Sequence, residues 1–466
     1  MPATPQNQPN SLPDLFAAPL RPGDLEAVAS LGQLPGLVRQ LSTLGGCSRP
    51  VRLDGQSTEV DEATGLILRH LDSAQMPAGT LLVRCGNRRA TRCRSCAEVY
   101  RHDTYQLIAA GLRGGKTVAE SVATHPRVFA TLTAPSFGPV HNRPGIGGQD
   151  GGRCRCGRAH AEDDPLLGSP LDPARYDYRG AVLWNAHAPA LWARFMLHLR
   201  RAVARAAGLP QRTLSTAVKV SYAKVAEYQR RGLVHFHAVI RLDGPDGHTT
   251  TPPAWASTDV LTDAIRTADR QARVTGPELD SHRGEFAFGT QTDVRPIRSS
   301  DFTGEGPVTE RAVAGYVAKY ATKGAESATG TLDRRLRLIG ELQAFDIPPH
   351  AERMIRTCWT LGARPELADL KLRAWAHMLG FKGHFSTKTR RYSTTLAELR
   401  QARADCQRAR SVPPANSLAD TSTLVLAHWV FSGIGLTPEL ARLAAALNPP
   451  GPRPDAAEEG AGAARG

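Results

Sequence analysis

Two histidines separated by one residue, His235 and His237, are the side chains in this sequence best placed to bind a metal. They lie in residues 232–240, where β-branched and aromatic residues predict a strand. Residues i and i+2 of a strand point to the same face, so the two imidazoles lie side by side while Phe236 points to the other face. Such a pair can share one divalent cation.

A carboxylate is needed to complete a site for Mn²⁺ or Mg²⁺ around these imidazoles. Residues 216–228 form a second predicted strand, and the four residues 229–232 join the two strands as an antiparallel hairpin. Glu227 then lies within cross-strand reach of His235. A slip of one residue would turn Glu227 to the wrong face, so Asp293, in a further predicted strand over 289–297, is the alternative ligand.

A predicted helix over residues 308–323 carries two tyrosines and two lysines, each pair four residues apart. Thr309 before Glu310 is a typical N-cap, and residues four apart share a helix face. A tyrosine hydroxyl can attack a phosphodiester, and a neighbouring ammonium can stabilise the phenolate and the charge on the phosphoryl oxygens. The candidate catalytic residues are Tyr316, Tyr320, Lys319 and Lys323.

The cysteines indicate metal binding rather than disulfide bonds, because five of the eight crowd between Cys85 and Cys156. A Cys-x-x-Cys pair and a later Cys-x-Cys pair together supply the four thiolates of a closed structural zinc site. The predicted ligands are Cys93, Cys96, Cys154 and Cys156, with Cys85 or His160 as substitutes. The remaining cysteines, Cys47, Cys358 and Cys406, are predicted to be reduced thiols.

The composition is that of a globular, multi-domain protein with a basic surface. The 466 residues carry a formal net charge of +14, which favours nucleic acid as the partner. No apolar run reaches about 18 residues, so we expect a cytoplasmic protein with no membrane partner. The basic residues predicted to bind DNA are Arg88 and Arg89 beside the cysteines, and Lys382, Lys388, Arg390 and Arg391 in residues 381–392, where interleaved aromatics suit base stacking.

Residues 127–134, rich in β-branched and aromatic residues, form a further predicted strand. This strand, the histidine pair and the tyrosine helix follow one another in a basic chain, with about 80 residues between the last two motifs. In this order they resemble the three motifs of the HUH endonucleases, and more closely those of rolling-circle replication initiators of actinobacterial plasmids and integrative conjugative elements. Residues 129–133 resemble the first motif, 234–238 the histidine motif and 315–320 the nucleophile motif. The resemblance covers roughly residues 85 to 400.

The resemblance implies a ferredoxin-like catalytic domain with a central antiparallel sheet. With the cysteine pairs and the pattern of residues 332–410, it predicts an α+β chain that also has a zinc-binding Cys-rich lobe and a mostly helical C-terminal region. The expected domains are a partly disordered arm (1–80), the Cys-rich lobe (81–125, completed by 150–160), a nickase domain (126–325, with an insertion at 138–180), a basic helical DNA-binding region (326–410) and a partly disordered tail (411–466).

The reaction implied is transesterification, in which a tyrosine takes the 5′-phosphate at a nicked origin and leaves a 3′-hydroxyl. Mn²⁺ or Mg²⁺ would polarise the phosphate. Origin DNA, a host helicase and a polymerase are the expected partners. One-tyrosine relatives have the nucleophile between two lysines, as Tyr320 lies between Lys319 and Lys323, whereas both tyrosines attack in two-tyrosine relatives. Tyr320 is therefore favoured, with Tyr316 as a second nucleophile.

Three other functions are compatible with parts of the sequence. A zinc-containing DNA-binding regulator would have the cysteines and the basic charge without catalysis. A conjugative, relaxase-like nickase would share the chemistry. A metal hydrolase that activates water would need more ligands at short spacing, and Asp243 lies six residues beyond His237.

Overall fold

The computed structural model describes residues 34–76, 79–143, 153–280, 282–298, 308–411, 423–436 and 438–447. The strands are β1 Val51–Asp61, β2 Ile67–Asp72, β3 Leu81–Val83, β4 Arg127–Leu132, β5 Lys219–Tyr228, β6 Val234–Asp243, β7 Arg273–Leu279, β8 His282–Ala287, β9 Thr292–Arg298, β10 Val308–Thr309, β11 Ser386–Lys388 and β12 Thr423–Ile434. The α-helices are α1 Leu34–Thr43, α2 Arg94–Arg113, α3 Tyr178–Ala206, α4 Leu214–Ala217, α5 Thr258–Gln271, α6 Glu310–Ala321, α7 Glu326–Thr329, α8 Pro349–Leu361, α9 Leu396–Ser411 and α10 Pro438–Leu447.

The chain divides into two compact units, and the first combines residues from both ends: Met1–Tyr100 with Arg403–Ala461. Its sheet has β1 at the centre, paired antiparallel with β2, β3 and β12. This differs from the separate N-terminal arm and C-terminal tail predicted from the sequence, because residues 423–434 supply a strand to the sheet that residues 51–83 begin. Residues 1–33 of the predicted arm and 448–466 of the predicted tail lie outside the described residues, so the disorder predicted there stays a prediction.

The second unit, mainly Arg101–Ala402, contains a six-stranded sheet in the order β10-β9-β4-β6-β5-β11. All neighbours pair antiparallel except β10 and β9. The elements that build its centre follow along the chain as β4-α3-β5-β6-α5-β9. The predicted mixed α+β class with antiparallel sheets is thus confirmed. Within the described residues, no helix is long and apolar enough to cross a membrane.

The two faces of this sheet differ in character because side chains alternate along each strand. On one face, Val128, Phe236 and Ile240 belong to the main hydrophobic core, to which α3 and α5 contribute Trp184, Phe195 and other apolar side chains. The opposite face carries His235 and His237, and helix α6 lies against it. The core face therefore stabilises the sheet, while the other face holds the polar groups.

A buried asparagine joins the core helix to the histidine hairpin. The side chain of Asn185, in α3, is fully buried and donates hydrogen bonds to the carbonyls of Gly232 and Leu379, both at 2.9 Å. Its own carbonyl accepts the N–H of Val234 at 3.1 Å. Gly232 lies two residues before β6 and Val234 is its first residue, so this side chain fixes the backbone just before the histidines.

We expect Asn185→Leu to destabilise the protein by at least about 2 kcal/mol, since an apolar side chain of similar size leaves three buried backbone groups without partners. Urea unfolding measures the change. Gln211→Ala, which removes an exposed amide side chain, is the control and should alter stability by less than about 0.5 kcal/mol. Equal stabilities of the two variants would contradict this account of Asn185.

Candidate metal and tyrosine site

The register of the β5–β6 hairpin is the one that the sequence predicts: Glu227 pairs with His235, and Val225 pairs with His237. Glu227 Oε2 lies 3.1 Å from His235 Nε2 and 3.2 Å from His237 Nε2, and the two Nε2 atoms are 3.2 Å apart. Three metal-type donor atoms from two adjacent strands thus converge on one point. They form one of the groups within the described residues that could hold a metal ion.

The protonation states suit a divalent cation. Burial raises the pKa of Glu227, but hydrogen bonds from His235 and His237 outweigh burial and bring that pKa down to about 2. Burial lowers the pKa of His237. At neutral pH, Glu227 is therefore an ionised carboxylate and His237 a neutral imidazole, the forms in which both side chains bind metals.

Strand β4 orients His237 from the neighbouring position. Thr131 pairs with His237 across the strands, and its Oγ1 lies 3.0 Å from His237 Nδ1. When a metal occupies Nε2, the ring proton is on Nδ1, where the Thr131 hydroxyl can accept it. Phe129, on the same face of β4, stacks on the His237 ring with an interplanar angle of 1°. These two contacts therefore fix both the direction in which the His237 ring points and the plane in which it lies.

Helix α6 begins where the sequence predicts and is anchored at its first residue. Thr309 is the N-cap, accepting the N–H of Ala312 at 3.2 Å. The buried carboxylate of Glu310 is hydrogen-bonded to Arg127, at the start of β4, and Arg127 also donates to the carbonyl of Leu112. This ion pair ties the helix to the strand that orients His237. Sequence patterns gave no signal for it, because the partners are 183 residues apart.

The first tyrosine of the helix reaches the donor group. Tyr316 Oη lies 3.0 Å from His237 Nε2 and 3.4 Å from Glu227 Oε2, and its ring packs edge-on against Phe129. Burial and the charge of Glu227 raise the pKa of Tyr316. The hydroxyl is therefore protonated at neutral pH and lies next to the candidate metal ligands.

The second tyrosine lies beside the first, with the ring centroids of Tyr316 and Tyr320 4.5 Å apart. The Tyr320 ring is 6.2 Å from that of His237, and the Lys323 ammonium lies 4.7 Å from the Tyr320 ring centroid. Burial and the charge of Glu227 raise the pKa of Tyr320 to about 12. Of the two predicted lysines, Lys323 thus lies against a tyrosine ring, and Lys319 is exposed on the helix.

The alternative ligand, Asp293, lies outside this donor group. Asp293, on β9, pairs with Thr131 of β4, so it faces the same side of the sheet as His237 but lies one strand further away. Its carboxylate is bound to Arg295 at 2.6 Å. Glu227 is therefore the carboxylate that the fold brings to the histidines.

The cysteines group differently from the predicted zinc site. Cys93 and Cys96 form a cluster with Cys47 and Cys85, in which all four sulfur atoms lie within 4.8 Å of one another. The prediction of one site from Cys93, Cys96, Cys154 and Cys156 is wrong, because each pair lies in a different group of four, and four ligands fill a tetrahedral site. Cys154 and Cys156 group with His141 and His160.

Cys47 was predicted to be a reduced thiol, and no second cysteine lies near it in the sequence. The fold brings it close: its sulfur is 3.8 Å from Cys93 Sγ and accepts the backbone N–H of Cys85 at 3.4 Å. His141 was missed for the same reason, since it precedes Cys154 by 13 residues. The signal in the sequence that could have identified these two ligands is a His or Cys upstream of each short cysteine pair.

Phe381, Phe385 and Tyr392, the aromatic residues in the segment 381–392 that were expected to suit base stacking, are buried and therefore not exposed to bases. Phe381 and Phe385 belong to the main core, and Tyr392 packs over the buried Arg241. Lys388 donates to the carbonyl of Ser393 at 2.7 Å. The residues of this segment left exposed for phosphate contact are Lys382, Arg390 and Arg391, whereas Lys388 is half-buried, as are Arg88 and Arg89 in the other unit.

Known proteins identify the family. The family model described as replication initiator protein, pSAM2 (RepSA) matches residues 33–448. The chain belongs to this family of replication initiators. This replication initiator is also 51% identical over 444 residues to a replication initiator protein of Streptomyces ambofaciens, with 94% of each chain covered. No solved structure matches the chain. The hairpin donors, the tyrosine helix and both cysteine clusters all lie inside the matched range.

We expect Thr131→Val to weaken Mn²⁺ binding roughly 10-fold or more, because valine keeps the shape of threonine but removes the oxygen that orients His237. Isothermal titration with Mn²⁺ measures the change. Thr133→Val is the matched control: its hydroxyl donates to the carbonyl of Gln291, away from the metal ligands, and Mn²⁺ affinity should not change. Undiminished Mn²⁺ affinity in Thr131→Val would contradict this role.

Proposed function

We propose that this replication initiator is an HUH-type nickase that starts rolling-circle replication by cutting one strand of its origin DNA through tyrosine attack. The products are a 5′-phosphotyrosine link to the protein and a free 3′-hydroxyl for a polymerase. The observation that carries the proposal is the position of the Tyr316 hydroxyl, 3.0 Å from a histidine of the hairpin donor group, in a member of a replication initiator family.

The order of elements supports an HUH-type fold. The succession β4-α3-β5-β6-α5-β9 is a strand-helix-strand-strand-helix-strand unit, and its four strands lie in the sheet as β9-β4-β6-β5. That connectivity is typical of ferredoxin-like domains. The histidines lie on β6, a central strand, and the tyrosine helix lies across the sheet face that carries them.

Glu227, His235 and His237 would hold Mn²⁺ or Mg²⁺. The donor set fits such an ion, since it combines a carboxylate with two imidazoles and the three donor atoms lie 3.1 to 3.2 Å apart. Bound there, the ion supplies Lewis-acid polarisation of the scissile phosphate. The protein contributes the fixed direction of the imidazoles, through Thr131 and Phe129 on β4.

The attack replaces one phosphate ester with another. The tyrosine loses its proton as its oxygen bonds to phosphorus, the bond from phosphorus to the 3′-oxygen breaks, and that oxygen takes up a proton. Because no water enters, the phosphodiester energy is kept in the phosphotyrosine bond, and a 3′-hydroxyl can reverse the step. We favour Tyr320 as the first nucleophile because Lys323 lies over its ring, and Tyr316 as the second because it lies directly beside it.

The Cys47, Cys85, Cys93 and Cys96 cluster is proposed as a structural zinc site. Zn–S bonds of about 2.3 Å in a tetrahedron place sulfur atoms about 3.8 Å apart. The distance between the sulfurs of Cys47 and Cys93 is 3.8 Å. The formal net charge of +14 supports binding to origin DNA, with the exposed Lys382, Arg390 and Arg391 as proposed phosphate contacts. A host helicase and polymerase would then extend the 3′-hydroxyl.

The test is a nicking assay on supercoiled plasmid that carries the replication origin of the element encoding this chain, with Mn²⁺. We expect an open-circular product with protein covalently attached to the new 5′ end. Tyr320→Phe should lower the rate of first nicking at least about 100-fold, because phenylalanine has no nucleophilic oxygen. The double variant with Tyr316→Phe should form no adduct.

Tyr222→Phe is the matched control, since this tyrosine lies against Trp192, away from the histidine pair, and nicking should not change. Nicked DNA without a protein adduct would contradict the tyrosine mechanism and favour a metal-activated water. Origin binding without any cleavage would favour a DNA-binding regulator.

A further inference from the structure

The connection between β4 and α3 contains a second cluster of metal-type side chains. The ligand atoms of His141, Cys154, Cys156 and His160 all lie within 4.8 Å of one another. We propose that these four residues bind a second structural zinc ion, separate from the Cys47 cluster and from the hairpin donor group.

The distances within this cluster match a tetrahedral zinc site. Zn–N bonds of about 2.0 to 2.1 Å and Zn–S bonds of about 2.3 Å predict ligand separations of about 3.4 Å between nitrogens and about 3.6 Å between nitrogen and sulfur. His141 Nδ1 and His160 Nε2 are 3.2 Å apart. Cys156 Sγ lies 3.3 Å from His160 Nε2, and Cys154 Sγ lies 3.8 Å from His141 Nδ1. Two imidazoles and two thiolates are a common set for closed structural zinc sites.

Hydrogen bonds from groups outside the cluster orient the ligand side chains. Asp164 Oδ2 lies 2.7 Å from His160 Nδ1, so the carboxylate fixes the ring and directs Nε2 at the cluster. The two cysteines share a tight turn in which Cys154 N–H donates to Arg158 and Gly157 N–H donates to Cys154. Gly157 has φ +84°, a conformation that favours glycine. The turn holds both sulfurs on the same side.

The position of the cluster, in a loop that contacts the β5–β6 turn, indicates what a bound zinc ion would stabilise. On either side of it the loop returns on itself, with His141 N–H bonded to Ser169 and Gly168 N–H bonded to His141. The same loop meets the β5–β6 turn: Arg230 donates to the carbonyl of Glu162 at 2.7 Å, and the backbone of Gly168 lies against Arg230. That turn separates Glu227 from His235. A zinc ion would therefore stiffen the segment that supports the hairpin from outside.

The first experiment measures the zinc content of the purified full-length chain by mass spectrometry. We expect two zinc ions per chain, one from each cysteine cluster. Cys156→Ser and Cys96→Ser should each leave one, the two changes together none, and Cys406→Ser, an exposed cysteine outside both clusters, should leave two. Full zinc content in Cys156→Ser would overturn the proposal, as would a single zinc that only Cys96→Ser removes.

The second experiment keeps all four ligands, so that misfolding of a cysteine variant does not decide the result. Asp164→Asn should weaken zinc retention roughly 10-fold to 100-fold in competition with a chromophoric chelator, because it weakens the contact that orients His160. Asp163→Asn, at the exposed neighbouring position, is the matched control. Equal zinc retention in both variants would overturn the proposal. Neither readout depends on DNA cleavage, so this site and the nickase proposal fail separately.

Discussion

The pairing of Glu227 with His235 across the β5–β6 hairpin is the constraint on which the candidate site depends. Side chains alternate along a strand, so a slip of one residue would send the carboxylate to the core face and leave the two imidazoles without it. The turn helps to fix this pairing, because Gly232 adopts φ +73° and a Cβ there would lie 2.7 Å from Met354 Sδ. Asn185 holds the backbone at Gly232 and Val234, and His350 Nε2 lies 3.0 Å from the carbonyl of Arg231.

The tyrosines depend on a second restraint, which acts at the other end of the same sheet face. Glu310 opens helix α6 and is held by Arg127, the first residue of β4. Buried Val313 and Val317 then pack the helix onto the sheet, and Tyr316 lies over His237 six residues after Glu310. Strand β4 thus positions both halves of the site, through Arg127 at its start and Thr131 near its end. The sheet acts as the rigid support that brings a metal-type donor group and two hydroxyl groups together.

The sequence predicted the parts of this arrangement that depend on local periodicity. The alternation of residues 234–238 placed both histidines on one face, the four-residue loop set the register of Glu227, and Thr309 marked the start of the tyrosine helix. Parts that depend on long-range packing were not predictable in this way. Cys47 comes close to Cys93 only through the fold of the first unit. Residues 423–434 pair with β1, although most of the chain separates the two strands in sequence. The aromatic side chains of residues 381–392 point inward, where they pack in the core beside β5. Spacing identified the ligand types but not their grouping.

The most direct test of the account is to locate Mn²⁺ in a crystal of this protein by anomalous scattering. We expect a manganese peak coordinated by Glu227 Oε2 and by the Nε2 atoms of His235 and His237, beneath the Tyr316 and Tyr320 rings. A crystal of Glu227→Ala, grown and soaked under the same conditions, should lose that peak while the zinc signals at the cysteine clusters remain. Manganese bound elsewhere, with none at the three hairpin donors of the unaltered protein, would contradict the central claim.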